Sequence, residues 1–231
     1  MADLTESGLS GPEAGPADGG AARELVVFLH GWGANGADLF GLVPHFQQAL
    51  PGAHFAAPNG PETCDMAPPG MESYQWFGLE DRSAAAMLDG AEAARPRLDA
   101  YLDAKLDSLG LGPDKLALFG FSQGTMLALH TALRRPQPIA ALVGFSGLLI
   151  GAETLAQQLS ARPPVLLVHG EADEVVPFAL MAPAAEAMQA AGVAVETMAR
   201  PGVGHGIDGP GLNRAIAFLT QHFEGPGASD G

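Results

Sequence analysis

The stretch Leu116-Ala117-Leu118-Phe119-Gly120-Phe121-Ser122-Gln123-Gly124-Thr125-Met126-Leu127-Ala128-Leu129-His130 is an apolar strand that turns sharply into a helix. Serine stands at the turn, with a glycine two positions away on either side. A serine at the tip of a strand-to-helix turn takes a strained backbone, and the chain packs so closely there that side chains at Gly120 and Gly124 would collide. Such a turn is a nucleophile elbow. It lifts the serine Oγ clear of the sheet, beside helix amides that have no partner of their own. With 31 glycines in the chain, the bare Gly-x-Ser-x-Gly spacing is weak, and its context carries the reading. Lys115–Phe119 reads as a buried strand. Met126, Leu127, Leu129 and Leu133 recur at helical spacing, and Arg134-Arg135 before Pro136 is a suitable helix stop. Ser146, in Gly144-Phe145-Ser146-Gly147-Leu148, follows a similar apolar run but has no second glycine and no helix start.

Apolar runs alternate with helical patterns along the rest of the chain, which predicts a mostly parallel sheet with helices on both faces. Strands are expected at 25–29, 54–57, 116–119, 140–145, 165–168 and 193–198. Helices are expected at 38–50, 83–109, 123–134, 152–159, 178–191 and 212–223, with Pro96 interrupting the second and Pro183 near the start of the fifth. At 231 residues the chain is one large domain. Residues 1–20 and 225–231, rich in Gly, Pro, Ser and acid, are expected to be disordered ends flanking a folded domain over 21–224.

A net charge of −15 excludes nucleic acid and anionic membrane surfaces as partners, because both require basic patches. No apolar run approaches the ~20 residues of a membrane span, so no stable membrane insertion is expected. The N-terminus lacks the basic and apolar regions of a signal peptide. A single cysteine, Cys64, excludes an internal disulfide and a thiolate-rich zinc site, and fits a reducing, cytoplasmic setting. Cys64 lies in a Pro- and Gly-rich stretch and is a poor nucleophile candidate.

A serine hydroxyl needs a base within reach, and the base needs a group to orient it. Of the seven histidines, His30 is placed to brace loops, and His45, His130 and His222 lie inside helices. His54 and His169 bound strands. His205 sits in the glycine-flanked loop Gly202-Val203-Gly204-His205-Gly206 after the last strand, free to be aimed at a neighbour. For the acid, Asp173 is the first choice, because Val175-Val176-Pro177 could bury its side chain beside the imidazole; Glu174 and Glu171 remain alternatives. Asp208 suits a cap for the last helix.

With Ser122, Asp173 and His205 in that order, behind a Leu29-His30-Gly31-Trp32-Gly33 turn, the chain resembles the α/β-hydrolases. It most resembles the phospholipase/carboxylesterase family that includes the acyl-protein thioesterases, from about Leu25 to Phe223. The motifs that carry the resemblance are Phe28–Gly36, Gly120–Gly124, His169–Pro177 and Gly204–Gly206. The resemblance implies an α/β-hydrolase fold without a large lid domain and a serine carboxylesterase acting on small to medium acyl esters, with thioesters and lysophospholipids also open. It implies an oxyanion hole from the amides of Trp32 and Gln123. Trp32 stands where the family commonly has leucine, which bears on the shape of the adjoining pocket. The stretch 64–78 resembles the region bordering the acyl site, so Met71, Trp76, Phe77 and Val176 are expected to touch substrate. For the loop residues an ordinary packed loop is the competing reading. A small-molecule ester is the expected partner, a homodimer is compatible, and no metal or organic cofactor is implied. The rival readings are a lactone or peptide hydrolase on the same fold and a non-catalytic ligand-binding homologue. Dienelactone hydrolases carry cysteine at the elbow, where this chain has serine.

Overall fold

The computed structural model describes residues 7–67 and 70–224. Seven strands form one sheet in the order β1-β3-β2-β6-β7-β8-β9: β1 (Glu13–Ala14), β2 (Glu24–Leu29), β3 (Ala53–Ala56), β6 (Leu116–Phe121), β7 (Ala141–Phe145), β8 (Val165–Gly170) and β9 (Val195–Arg200). All neighbours pair in parallel except β1, which runs antiparallel to β3. A short hairpin, β4 (Glu62–Thr63) with β5 (Tyr74–Gln75), stands apart. The helices are α1 (Gly36–Phe40), α2 (Val43–Ala49), α3 (Ala84–Leu109), α4 (Gln123–Ala132), α5 (Leu155–Gln158), α6 (Met181–Ala190) and α7 (Gly209–Glu224).

The pleat sorts each central strand into two layers. Leu25, Val27 and Leu29 of β2, with Leu116 and Leu118 of β6, join a core with α3, α4, α5 and α6. Val26 and Phe28, with Ala117 and Phe119, point the other way, towards α1, α2 and α7. The second layer centres on Phe28, Phe46, Phe55, Phe119 and Phe145, whose neighbouring rings lie 5.2–6.3 Å apart in tilted and edge-on arrangements. Strands buried on both faces explain the near-continuous apolar runs.

All six expected strands are present, with ends shifted by a residue or two. The expected helix 38–50 is two, because Pro44 cannot continue a helix and instead opens α2. Pro96 does not interrupt α3, which runs unbroken for 26 residues. Burial of Ala91, Ala94, Leu98, Tyr101 and Leu102 against the sheet outweighs the ~3 kcal/mol that an interior proline costs. Pro183 sits in the first turn of α6, where its missing N–H has no helical partner to lose. Gly110, at φ 68°, ends α3 in the left-handed conformation.

The N-terminal expectation needs correction for residues 7–20. Leu9 is buried in the core with α3, β1 adds an edge to the sheet, and Glu13 bonds Lys105 of α3 at 2.5 Å and His54 of β3 at 3.1 Å. Gly11 lies so close to the carbonyl of Ala57 that a Cβ there would stand 2.0 Å from it. A two-residue strand in polar sequence leaves no periodic signal, so composition alone suggested disorder. Residues 1–6 and 225–231 lie outside the described residues. Among the described residues no helix is long and apolar enough to cross a membrane.

Burial raises the Glu13 carboxyl, but Lys105 and His54 outweigh it and hold the group below its ordinary value. Its stabilisation is therefore present above the unfolded value of 4.5 and disappears as pH falls through the lower folded one. Glu13→Gln is expected to lower Tm at pH 7 and to narrow its gap from wild type near pH 3; a gap that persists unchanged in acid would remove the ion-pair explanation. Leu9→Ala should cost about 2–4 kcal/mol in urea unfolding, whereas an undocked segment would show no change.

Candidate active site

Ser122 sits between β6 and α4 at φ 53°, ψ −119°, a conformation that non-glycine residues adopt at a cost of order 1–3 kcal/mol. Close packing imposes it. A Cβ at Gly124 would lie 1.9 Å from the carbonyl oxygen of Leu29, and one at Gly120 would lie 2.6 Å from the backbone of Thr125. The N-terminus of α4 thus presses directly on β2 and β6. Ser122 donates its amide to Phe145 O at 2.9 Å, which ties the turn to β7.

Asp173 follows β8. Its side chain is fully buried, and its Oδ1 accepts the amides of Val175 and Val176, each at 2.9 Å. Oδ2 stands 2.8 Å from His205 Nδ1. Burial pushes this carboxyl up, yet the bonds from His205 and the two amides outweigh it and hold the group below the ordinary aspartate value. A carboxylate at Nδ1 places that proton on Nδ1 and leaves Nε2 as the free basic nitrogen. The ring of His205 lies 4.9 Å from that of Phe121, and His205 lines the same cavity as Ser122. The competing acids are elsewhere: Glu171 and Glu174 are exposed, while Asp208 pairs with Arg200 at 2.7 Å and caps α7 through Gly211 N at 3.0 Å. His169, treated from sequence as structural, also faces the carboxylate. Its Nε2 lies 2.9 Å from Val176 O and 3.2 Å from Asp173 Oδ2, the same carboxylate oxygen that His205 approaches.

Gln123 is the first residue of α4, so its amide has no partner within the helix. Its side chain is fully buried, donating to Phe77 O at 2.7 Å and accepting from Trp76 N at 3.0 Å. In the turn after β2, Gly33 N bonds Tyr74 O and Ala34 N bonds Gly31 O; among the described residues the Trp32 amide takes no part in these bonds. Its indole Nε1 donates to Gln75 Oε1 at 2.9 Å, which holds the ring against the cavity. Gln75 also donates to Glu62 and Asp65. His30 braces the same turn: Gly60 N donates to its Nε2 at 2.9 Å, so Nδ1 carries the proton towards Gly31 O at 2.8 Å, and burial lowers its pKa.

The cavity, about 340 Å³, is walled by Gly31, Trp32, Ala34, Leu79, Met87, Phe121, Met126, Leu148, Val175, Val176 and Pro177, with Arg82 its one arginine. Val176 is among the residues expected to touch substrate. Met71, Trp76 and Phe77 do not line the cavity. Met71 is 64% exposed, on the loop between β4 and β5. The Trp76 indole turns inward, donating to His30 O at 2.9 Å, and Phe77 is buried against α3 at Gly90. Composition marked this stretch as aromatic but could not say which way the rings face. Leu79, Met87, Met126 and Leu148 were not singled out from the sequence; Met126 and Leu148 flank the two serine turns, the one signal that could have found them.

The Phospholipase/Carboxylesterase family profile matches residues 16–223. An acyl-protein thioesterase 1 of Saccharomyces cerevisiae is 30% identical over 69% of this chain and 74% of its own. A probable carboxylesterase of Oryza sativa subsp. japonica is 29% identical over 87% and 79%. The crystal structure of esterase PE8 is 42% identical, superimposes with a TM-score of 0.86, and covers 91% of this chain and 97% of that one.

The backbone clearances make a test of the turn independent of any substrate. Gly124→Ala should lose about 3 kcal/mol or more of stability, because neither backbone can yield. Gly206→Ala, which meets nothing within 4 Å, should stay within about 0.5 kcal/mol of wild type. Equal unfolding midpoints for the two would mean that the close approach of α4 to β2 is absent.

Proposed function

Because the chain belongs to the phospholipase/carboxylesterase family of α/β-hydrolases, we propose that it is a serine carboxylesterase that cleaves esters of small to medium acyl groups, and thioesters by the same steps, through an acyl-enzyme on Ser122. The observation that carries this reading is the 2.8 Å pair of Asp173 and His205 opening onto the cavity that holds Ser122. The names of the relatives, carboxylesterase and acyl-protein thioesterase, support the same class.

In this mechanism Ser122 Oγ attacks the carbonyl carbon as its proton passes to His205 Nε2. Asp173 holds the imidazole with Nδ1 protonated and stabilises the imidazolium. The oxyanion forms between the amides of Trp32 and Gln123, where preorganised donors act without rearranging. Collapse breaks the bond to the alcohol or thiol, which leaves with the proton from His205. Water, deprotonated by the same nitrogen, then releases the acid and returns the proton to Ser122. A cavity of about 340 Å³ lies at the small end of ligand pockets, and its apolar wall of Leu79, Met87, Met126, Leu148 and Val176 suits an acyl chain of modest length.

A fluorophosphonate probe is expected to label the wild-type protein at Ser122 and to leave Ser122→Ala unlabelled although folded; labelling elsewhere, or none, would end the proposal. Asp173→Asn should lower kcat on the order of 10⁴-fold, against little change for Glu171→Gln or Glu174→Gln. Trp32→Leu keeps the backbone donor, so kcat on acetate esters should stay within about tenfold, whereas loss of a donor costs ~10²–10³. A loss of that size from Trp32→Leu in a folded protein would show that the indole, held by Gln75, is itself required.

A further inference from the structure

A second cavity, about 520 Å³, opens on the helical face of the sheet between α3, the C-terminal end of α4 and the end of α5. It is lined by Glu92, Arg95, His130, Arg134, Gln158 and Ser160 and shares no lining residue with the catalytic cavity. Where that cavity is apolar, this one is built of polar and charged groups. His130 is completely buried, and neither ring nitrogen has a hydrogen-bond partner among the described residues. The Arg95 Nε is likewise buried without a partner. Buried polar groups are nearly always satisfied, and leaving one unpaired is costly.

The cavity wall carries two arginines, Arg95 and Arg134, against one carboxylate, Glu92. Arg135, next along the chain, pairs through its two terminal nitrogens with Asp99 and Asp103, while its Nε is buried without a partner. Arg95 shares Asp99 through a single N–H. Arg134 makes no ion pair among the described residues. It bonds only neutral acceptors, Gln158 Oε1 and the carbonyl of His130. Glu92 is on the wall, and it draws the Arg134 charge upward in affinity for its proton, yet burial and repulsion from Arg95 prevail and lower the guanidinium pKa. His130 is held neutral, down to about 4, by burial and then by Arg134 and Arg95. Two guanidiniums thus lie near each other and near an unsatisfied imidazole, on a chain whose net charge is −15.

We propose that this second cavity binds a small phosphorylated molecule, its phosphate held by Arg95 and Arg134 and turned towards His130. A phosphate presents three acceptor oxygens to donors arriving from α3, α4 and the end of α5, and arginine forks match that geometry. A carboxylate presents only two in one plane. The cavity exceeds the size of phosphate alone, which leaves room for the organic part of a phosphomonoester beside Gln158 and Ser160.

Calorimetric titration of the full chain with inorganic phosphate and, separately, glycerol phosphate, at constant ionic strength, tests the site. One saturable equivalent is expected. Tighter binding of glycerol phosphate assigns the site to phosphomonoesters, and tighter binding of inorganic phosphate assigns it to free phosphate. Arg134→Gln should weaken binding about tenfold or more, the scale of one lost charge-assisted bond. Arg95→Gln, which leaves the contact with Gln158 untouched, should do the same and serves if Arg134→Gln does not fold. Ser122→Ala should bind unchanged. The proposal is overturned by no saturable heat from either ligand up to about 50 mM, by unaltered affinity in Arg95→Gln, or by acetate binding as tightly as phosphate. None of these outcomes bears on fluorophosphonate labelling of Ser122.

Discussion

The close approach of α4 to β2 governs this molecule. Helix and strand meet backbone to backbone, with the carbonyl of Leu29 filling the space a side chain at Gly124 would need. That contact leaves Ser122 no ordinary conformation to adopt, and it brings the turn after β2 alongside the start of α4. The amides of Trp32 and Gln123 come from these two segments, so their relation to the serine is set by main-chain packing and not by flexible side chains. The buried side chain of Gln123 extends the same rigidity to Trp76 and Phe77, and the Trp76 indole returns it to His30.

At the other end of the site, electrostatics replaces sterics. Asp173 leaves water but collects two amides and His205. The number of donors decides that it stays ionised despite burial. The turn Glu174-Val175-Val176-Pro177 does two jobs at once: its amides face the carboxylate, and its side chains at Val175, Val176 and Pro177 wall the cavity.

Features that local chain geometry demands could be read directly from the sequence. Gly120 and Gly124 around Ser122, the alternating strand and helix patterns, and the helix-capping role of Asp208 all follow from constraints within a few residues. Features made by convergence of distant segments could not. The cavity wall draws Leu79, Met87, Met126 and Leu148 from separate elements, and the second cavity draws Arg95, Arg134 and Gln158 from three. Trp76 and Phe77 show a further limit: aromatic side chains mark burial, but only the hydrogen bonds of Gln123 and Trp76 decide that these rings support the site from behind. Leu9 and Glu13 escaped notice because their partners, on α3 and β3, lie far along the chain.

The short strand β1 has an importance beyond its two residues. It is the only antiparallel member of the seven-stranded sheet, and it lies across the outer edge of β3, whose sequence Ala53-His54-Phe55-Ala56 is mostly apolar. An uncovered strand of that kind offers unpaired main-chain groups to any other chain. Proteolytic loss of residues 7–14 would therefore do more than subtract a few contacts. It would expose a template for strand pairing between molecules, so that the clipped protein accumulates as aggregates.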